Sequence, residues 1–222
     1  LVKFTDCTFQ FSTSTGAYHA FNGNNSKLIF NHCTLSKCGA AILTNDVNQF
    51  EFTNNVVTSA GQDLIKIDNL LKASPIITGN TFKFNEIDSS NLITLIHTVD
   101  RIDFINNSFV SNTLIGNGKS VEGGGIGLFV KKSTDTANRL YFINCSFDEN
   151  KNNYADSNSN EGGALHLGSS PSTELIIQKC QFKGNSCQQG RGAAISTTTK
   201  ADVTIEDCTF EKNVAKTEGN VL

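Results

Sequence analysis

The 222-residue chain contains no Met and no Trp, and only two Pro. Charge is also sparse: 18 Lys and Arg stand against 21 Asp and Glu, a formal net charge of −3. A nucleic-acid or anionic-membrane surface needs a basic excess, so no nucleic-acid partner is expected. No apolar run approaches the ~20 residues of a membrane helix, and no basic-then-apolar leader opens the chain, so no membrane span is expected in this segment. The missing Met, the strand-like sequence at Leu1 and the repeat motif that runs to Leu222 predict a fragment of a longer array, because solenoids need polar caps. Nowhere do apolar residues follow the 3.6-residue period of an amphipathic helix. The chain is rich instead in Asn (26), Gly (18) and Phe (16). That mixture suits a chain that turns often and packs the same aromatic side chain repeatedly.

An internal repeat organises the whole sequence. Eight hexapeptides share an apolar residue, two usually polar residues, Cys or Asn, a small or polar residue and a final apolar residue. They begin at Phe4, Phe30, Phe52, Ile77, Phe104, Phe142, Ile177 and Ile205. Their fourth position is Cys7, Cys33, Asn55, Asn80, Asn107, Cys145, Cys180 and Cys208, at spacings of 26, 22, 25, 27, 38, 35 and 28 residues. Three residues beyond the final apolar residue, five copies carry Asn: Asn85, Asn112, Asn150, Asn185 and Asn213. A glycine-led tetrapeptide follows in phase, as in Gly39–Ile42, Gly123–Ile126, Gly162–Leu165, Gly192–Ile195 and Gly219–Leu222.

Within each copy apolar residues alternate, as in Leu28 with Phe30 and Leu140 with Phe142, which is the period of a strand. Short strands recurring every 25 residues or so, separated by Asn, Gly and Ser turns, fit one geometry. Each repeat is a full coil, and equivalent strands stack in parallel on the next. The expected fold is therefore all-β: a right-handed, single-stranded parallel β-helix of about eight coils with three short strands each, one continuous unit over residues 1–222. Longer loops are expected at 113–121, 131–138 and 151–160, where the spacing lengthens. Asn at fixed corners tolerates left-handed backbone and can bond its neighbours up the axis. Cys in the same column is expected to act as a small apolar filler and a buried free thiol. Stacked side chains point the same way, which suits disulfide torsions poorly, although Cys38 and Cys187 remain open to a local pair. The bore should be lined by Phe9, Phe109, Phe147, Phe182 and Phe210.

The pairing of Phe-x-x-Asn with a glycine-led tetrapeptide once per coil resembles the repeats of chlamydial polymorphic outer-membrane proteins and similar surface adhesins. The nearest copies are Phe109–Asn112 with Gly123–Ile126, Phe147–Asn150 with Gly162–Leu165, and Phe182–Asn185 with Gly192–Ile195. The resemblance spans nearly the whole chain. It implies a pectin-lyase-like β-helix from an extracellular or cell-surface protein, secreted or anchored through other regions, whose partners are host-cell or neighbouring surface proteins, glycans or further copies of itself.

Enzyme chemistry is the main alternative to this reading, because β-helices also host polysaccharide lyases and hydrolases. Such sites need clustered carboxylates with a basic residue, or a carboxylate pair. No Asp pair repeats on outward positions. Glu122, Glu161, Arg191 and Glu218 precede the glycines on successive coils and read as a partly exposed ion-pair row, with a sugar- or cation-binding row as the alternative. His19, His32, His97 and His166 fall at unmatched positions without zinc-ligand spacing, and His166 reads as an outward neighbour of Leu165. No catalytic residue, metal site or cofactor is expected. The outward column Thr8, Thr34, Val56, Thr81, Ser108, Ser146, Gln181 and Thr209 is rich in hydroxyls, but its neighbour column is charged and irregular, unlike a flat ice-binding array. If Phe104, Phe142 and Ile177 point inward, then Ile105, Tyr141, Ile143 and Ile176 point outward. An apolar cluster of that kind implies cover by a loop or contact with a partner. Asn24, Asn106 and Asn144 lie in Asn-x-Ser sequons, open to glycosylation in a eukaryotic secretory setting. The sequence therefore points first to an adhesin-like stalk, with a carbohydrate-active enzyme or a subunit of a filament or coat as alternatives.

Overall fold

The computed structural model describes residues 1–10, 21–22, 26–38, 42–44, 47–61, 64–70, 73–88, 91–97, 99–115, 126, 128–132, 138–153, 162–167, 173–188, 190–197, 201–216 and 219. Among them every paired strand is parallel to its neighbour, and each neighbour comes from the next coil. The chain is a parallel β-helix.

Eight strands stack on the first face: Val2–Thr5, Ser26–Asn31, Val47–Thr53, Ile76–Thr78, Arg101–Ile105, Asn138–Ile143, Thr173–Gln178 and Ala201–Glu206. A second face, an eight-stranded sheet from Thr8–Gln10 to Thr209–Glu211, follows directly after the Cys/Asn column. A third carries five strands, from Glu86–Asp88 to Val214–Ala215. Phe21–Asn22, Ile42–Thr44, Ile65–Leu70, Ile93–His97 and Leu128–Lys132 form another face, joined to the first where Val47 pairs with Leu70. A coil can thus hold four strands rather than three, as Arg101–Ile105, Ser108–Val110, Thr113–Ile115 and Leu128–Lys132 do in succession.

The insertions also begin later than the spacing suggests. Thr113–Ile115 and Lys151–Asn152 are strands, while 131–132 and 138 belong to the strands that flank the middle insertion. Such strands aim only one side chain inward, Leu114 in one and Asn152 in the other, so they have no alternation to betray them. The rest of those loops, 116–121, 133–137 and 154–160, lies outside the described residues.

The core is a continuous column. On the second face Phe9, Leu35, Val57, Phe82, Phe109, Phe147, Phe182 and Phe210 are in register from rung to rung. From Phe82 to Phe210 the rings stack nearly parallel, with centroids 5.0, 5.2, 4.4 and 5.0 Å apart. Phe9 belongs to the same column but meets Phe4 edge-on, because Leu35 and Val57 interrupt the aromatic series above it. Leu28, Phe30, Ile102, Phe104, Leu140, Phe142, Leu175 and Ile177 close the bore from the first face.

Two corners flank the second face, and each turns through a single left-handed residue. Asp6, His32, Asn54, Gly79, Asn106, Asn144, Lys179 and Asp207 hold φ between 52° and 70° at one corner. Lys37, Ser59, Phe84, Ser111, Glu149, Gly184 and Lys212 do so at the other. Side chains as unlike as His32 and Phe84 accept this geometry because the backbone is tied there. Their N–H groups donate to carbonyls of the next rung, for example Asn106 to Ile143 at 2.9 Å and Phe84 to Val110 at 3.0 Å. The glycine-led motif has a separate cause. Gly162 holds φ +72°, and a Cβ there would lie 2.4 Å from the Leu165 carbonyl oxygen. A Cβ on Gly163 would lie 2.1 Å from that of Ala193, so the neighbouring coil leaves no room for a side chain.

Candidate functional site

Among the described residues, those singled out from the sequence lie in an inward column, on an outward face or at a corner between them. The residue following each left-handed corner points inward and forms a polar ladder. On the first corner, Asn80 accepts at Oδ1 from the N–H (2.9 Å) and Nδ2 (3.1 Å) of Asn55. Its own Nδ2 donates to Asn107 Oδ1 (2.9 Å) and to the backbone carbonyl of Phe52 (2.7 Å). On the second corner the same pattern runs without a break through Asn85, Asn112, Asn150, Asn185 and Asn213. These amides are buried, and the lattice satisfies them in the way a buried polar group requires.

Cys7, Cys33, Cys145, Cys180 and Cys208 complete the first column, and here the filler reading is corrected. Cys145 Sγ donates to the Phe104 carbonyl at 3.3 Å, and Cys180 Sγ to that of Phe142 at 3.4 Å. The N–H of Cys145 donates to Cys180 Sγ, and that of Cys180 to Cys208 Sγ, both at 3.4 Å. A thiol thus makes, more weakly, the bonds an amide makes in the same slot. All seven cysteines are free, so Cys38 and Cys187 do not pair. Among the described residues Cys38 is the first of the second column, where Ala60 and Asn85 follow it. Burial pushes its thiol up to about 11, and burial also raises Cys33 and Cys208. Cys180 is driven up by the thiol of Cys145 against it and by burial.

The outward cluster lies on the first face. Ile105 pairs in register with Ile143, and Tyr141 with Ile176, so the four form two short apolar columns on adjacent rungs. All four are half-buried. The Arg101 guanidinium lies 3.7 Å over the Tyr141 ring and is also bonded to Asp103, while Arg139 pairs with Glu174 at 2.8 Å. The cluster is therefore an apolar strip with a charged border. Alternation along the strands was enough to find the strip. The border is less legible in the sequence, because the Arg101–Tyr141 and Arg139–Glu174 contacts join residues on different coils.

Asn106 and Asn144 are exposed corner residues, and Asn144 Nδ2 donates to Asn106 Oδ1 at 2.8 Å. Their sequon serines, Ser108 and Ser146, also bond each other, at 2.9 Å. Asn24, His19, Glu122, Glu161 and Glu218 lie outside the described residues, which leaves only exposed Arg191 of the expected ion-pair row. His166 is 8% exposed, buried where an outward position was expected. It pairs in register with Ser196, which is also buried. His97 is fully buried, its Nδ1 3.1 Å from the Val99 carbonyl oxygen. Among the described residues no group of three His, Cys, Asp or Glu is placed to hold a metal ion, and no helix is long and apolar enough to cross a membrane. Comparison of the chain with protein-family models, with curated proteins and with solved structures finds no match.

Proposed function

We propose that this chain is a β-helical stalk of an extracellular or cell-surface protein, resembling the polymorphic outer-membrane adhesins. It holds variable side chains and loops on a stiff frame for contact with host-cell or neighbouring surface proteins, glycans, or further copies of itself. One observation carries the reading: on the second face the inward column repeats while an outward column beside it changes. On the second face the inward residue is Phe on five consecutive rungs, Phe82, Phe109, Phe147, Phe182 and Phe210. Beside it the outward residue runs Lys83, Val110, Asp148, Lys183 and Glu211. Residues that hold the coil are thus fixed, and those that meet solvent are free to differ, which suits a frame for recognition. The strip of Ile105, Tyr141, Ile143 and Ile176 is the contact surface in this reading.

The test is binding of the purified chain to cell surfaces and to a glycan array, with Ile143→Glu and Ile176→Glu as controls. Saturable binding that both variants lose, with an unchanged far-ultraviolet spectrum, is the expected result. Cleavage of an acidic polysaccharide without any stable binding would replace this reading with an enzymatic one.

A further inference from the structure

The outer surface of the first face carries three columns of side chains. In the column farthest from the Cys/Asn corner, Arg101, Arg139, Glu174 and Asp202 occupy four successive rungs in register. The column therefore reads two positive charges followed by two negative ones. Beside it run Asp103, Tyr141, Ile176 and Thr204, with the two apolar residues in the middle. Ile105, Ile143, Gln178 and Glu206 form the third. The charged side chains stand in solvent: Arg101 is 44%, Arg139 53% and Glu174 38% exposed.

A column charged plus, plus, minus, minus is its own complement when reversed. Consider a two-fold axis parallel to the strands, above this face, between the rungs of Arg139 and Glu174. Rotation about it lays the same face of another molecule on this one. Strand direction is kept, each column meets its own counterpart, and the order of rungs inverts. Arg101 then faces Asp202 of the second copy, Arg139 faces its Glu174, and Tyr141 faces its Ile176. Because the contact is isologous, each opposition occurs twice. Opposite charges placed in this way fix register and orientation and speed encounter.

We propose that a second copy of this chain docks on the first face in this antiparallel, two-fold arrangement. The inference rests on the reading of this face as a contact surface and names its partner. Four strands ~4.8 Å apart and about five residues long at ~3.3 Å each offer roughly 300 Å² per molecule. Over both molecules that is about 600 Å², below the ~1,000 Å² of a stable specific interface, so the pairing is weak, concentration-dependent and weakened by salt. Between surfaces that each carry many copies, such contacts add through effective concentration.

Sedimentation equilibrium of the full chain at low and high salt tests it, alongside two double variants. Arg101→Glu with Arg139→Glu makes the column wholly acidic, and Glu174→Lys with Asp202→Lys makes it wholly basic. Each variant alone should dimerise at least tenfold more weakly than the parent, and their equimolar mixture should recover a one-to-one complex. A parent chain that stays monomeric throughout the range overturns the proposal, as does a mixture that fails to associate while both variants keep the parent's spectrum. A monomeric parent that still binds cells or glycans sinks only this pairing, whereas a dimeric parent that binds neither sinks the display reading and leaves the pairing intact.

Discussion

The side-chain oxygen of Asn112 accepts two hydrogen bonds from Asn85, one from its backbone N–H at 3.2 Å and one from its Nδ2 at 2.8 Å. The same amide donates to the Phe82 carbonyl at 3.0 Å and to Asn150 at 2.9 Å. One buried side chain thus ties three residues, two on the coil before its own and one on the coil after. Replacing it with alanine removes the bonds and strands their partners in the core. Asn112→Ala should cost about 2–4 kcal/mol in denaturant unfolding, since a buried group left unpaired costs more than a bond contributes. Asn112→Cys should cost less, because Cys180 already fills an equivalent slot with a thiol that donates to a carbonyl. A cost below ~0.5 kcal/mol for the alanine variant would show that the ladder is not structural.

Two glycines should answer substitution in opposite ways. At Gly163 a Cβ would fall 2.1 Å from the Ala193 carbonyl oxygen and 2.7 Å from the Ser186 carbonyl carbon, both backbone atoms. Gly163→Ala should therefore push two coils apart, lowering the melting midpoint by ten degrees or more or preventing folding, on the order of 3 kcal/mol. At Gly79 the nearest atom is the Asn54 side-chain oxygen, the exposed end of a movable group. Its φ of +70° matches the corner geometry that Asn54 and Asn106 already adopt on adjacent rungs. Gly79→Asn should change the midpoint by no more than a few degrees.

The thiols predict a stability that falls on the alkaline side. Cys38 is raised from 9.0 to about 11, so the fold holds its proton more tightly than the unfolded chain does. Its contribution is complete below pH 9 and is lost as pH climbs towards about 11, by roughly 2–3 kcal/mol over that window. Urea midpoints measured between pH 8 and 11 should decline, and Cys38→Ala should flatten the decline at little cost, because Ala60 fills the next slot of the column. At pH 8 an aromatic disulfide reagent should titrate the part-exposed Cys7 and Cys208 well before the five buried thiols. Equal reactivity of all seven in the native protein would contradict the burial described.

The architecture was legible because its signals are local and repeated. Alternation at Leu140 and Phe142 needs no knowledge of the coil above, and the Cys/Asn column recurs at a nearly constant interval. What stayed hidden depends on contacts between coils. Nothing in the sequence around Cys145 says that its thiol will find the Phe104 carbonyl 41 residues back. Strands as short as Lys151–Asn152 carry no period, and the left-handed Phe84 and Lys179 are not residues that favour such corners. His166 is buried although alternation beside Leu165 gives it an outward position. The outward apolar strip could be read from alternation, but its charge pattern emerged only once the rungs were aligned.

The amide columns also bear on how such a rod meets mechanical load. Each rung is fastened only to the one before and the one after, so a pull along the axis at one end loads its last seam first. Failure would travel as a zipper, one turn at a time, each release paying out some 25 residues of slack and blunting the force on the next.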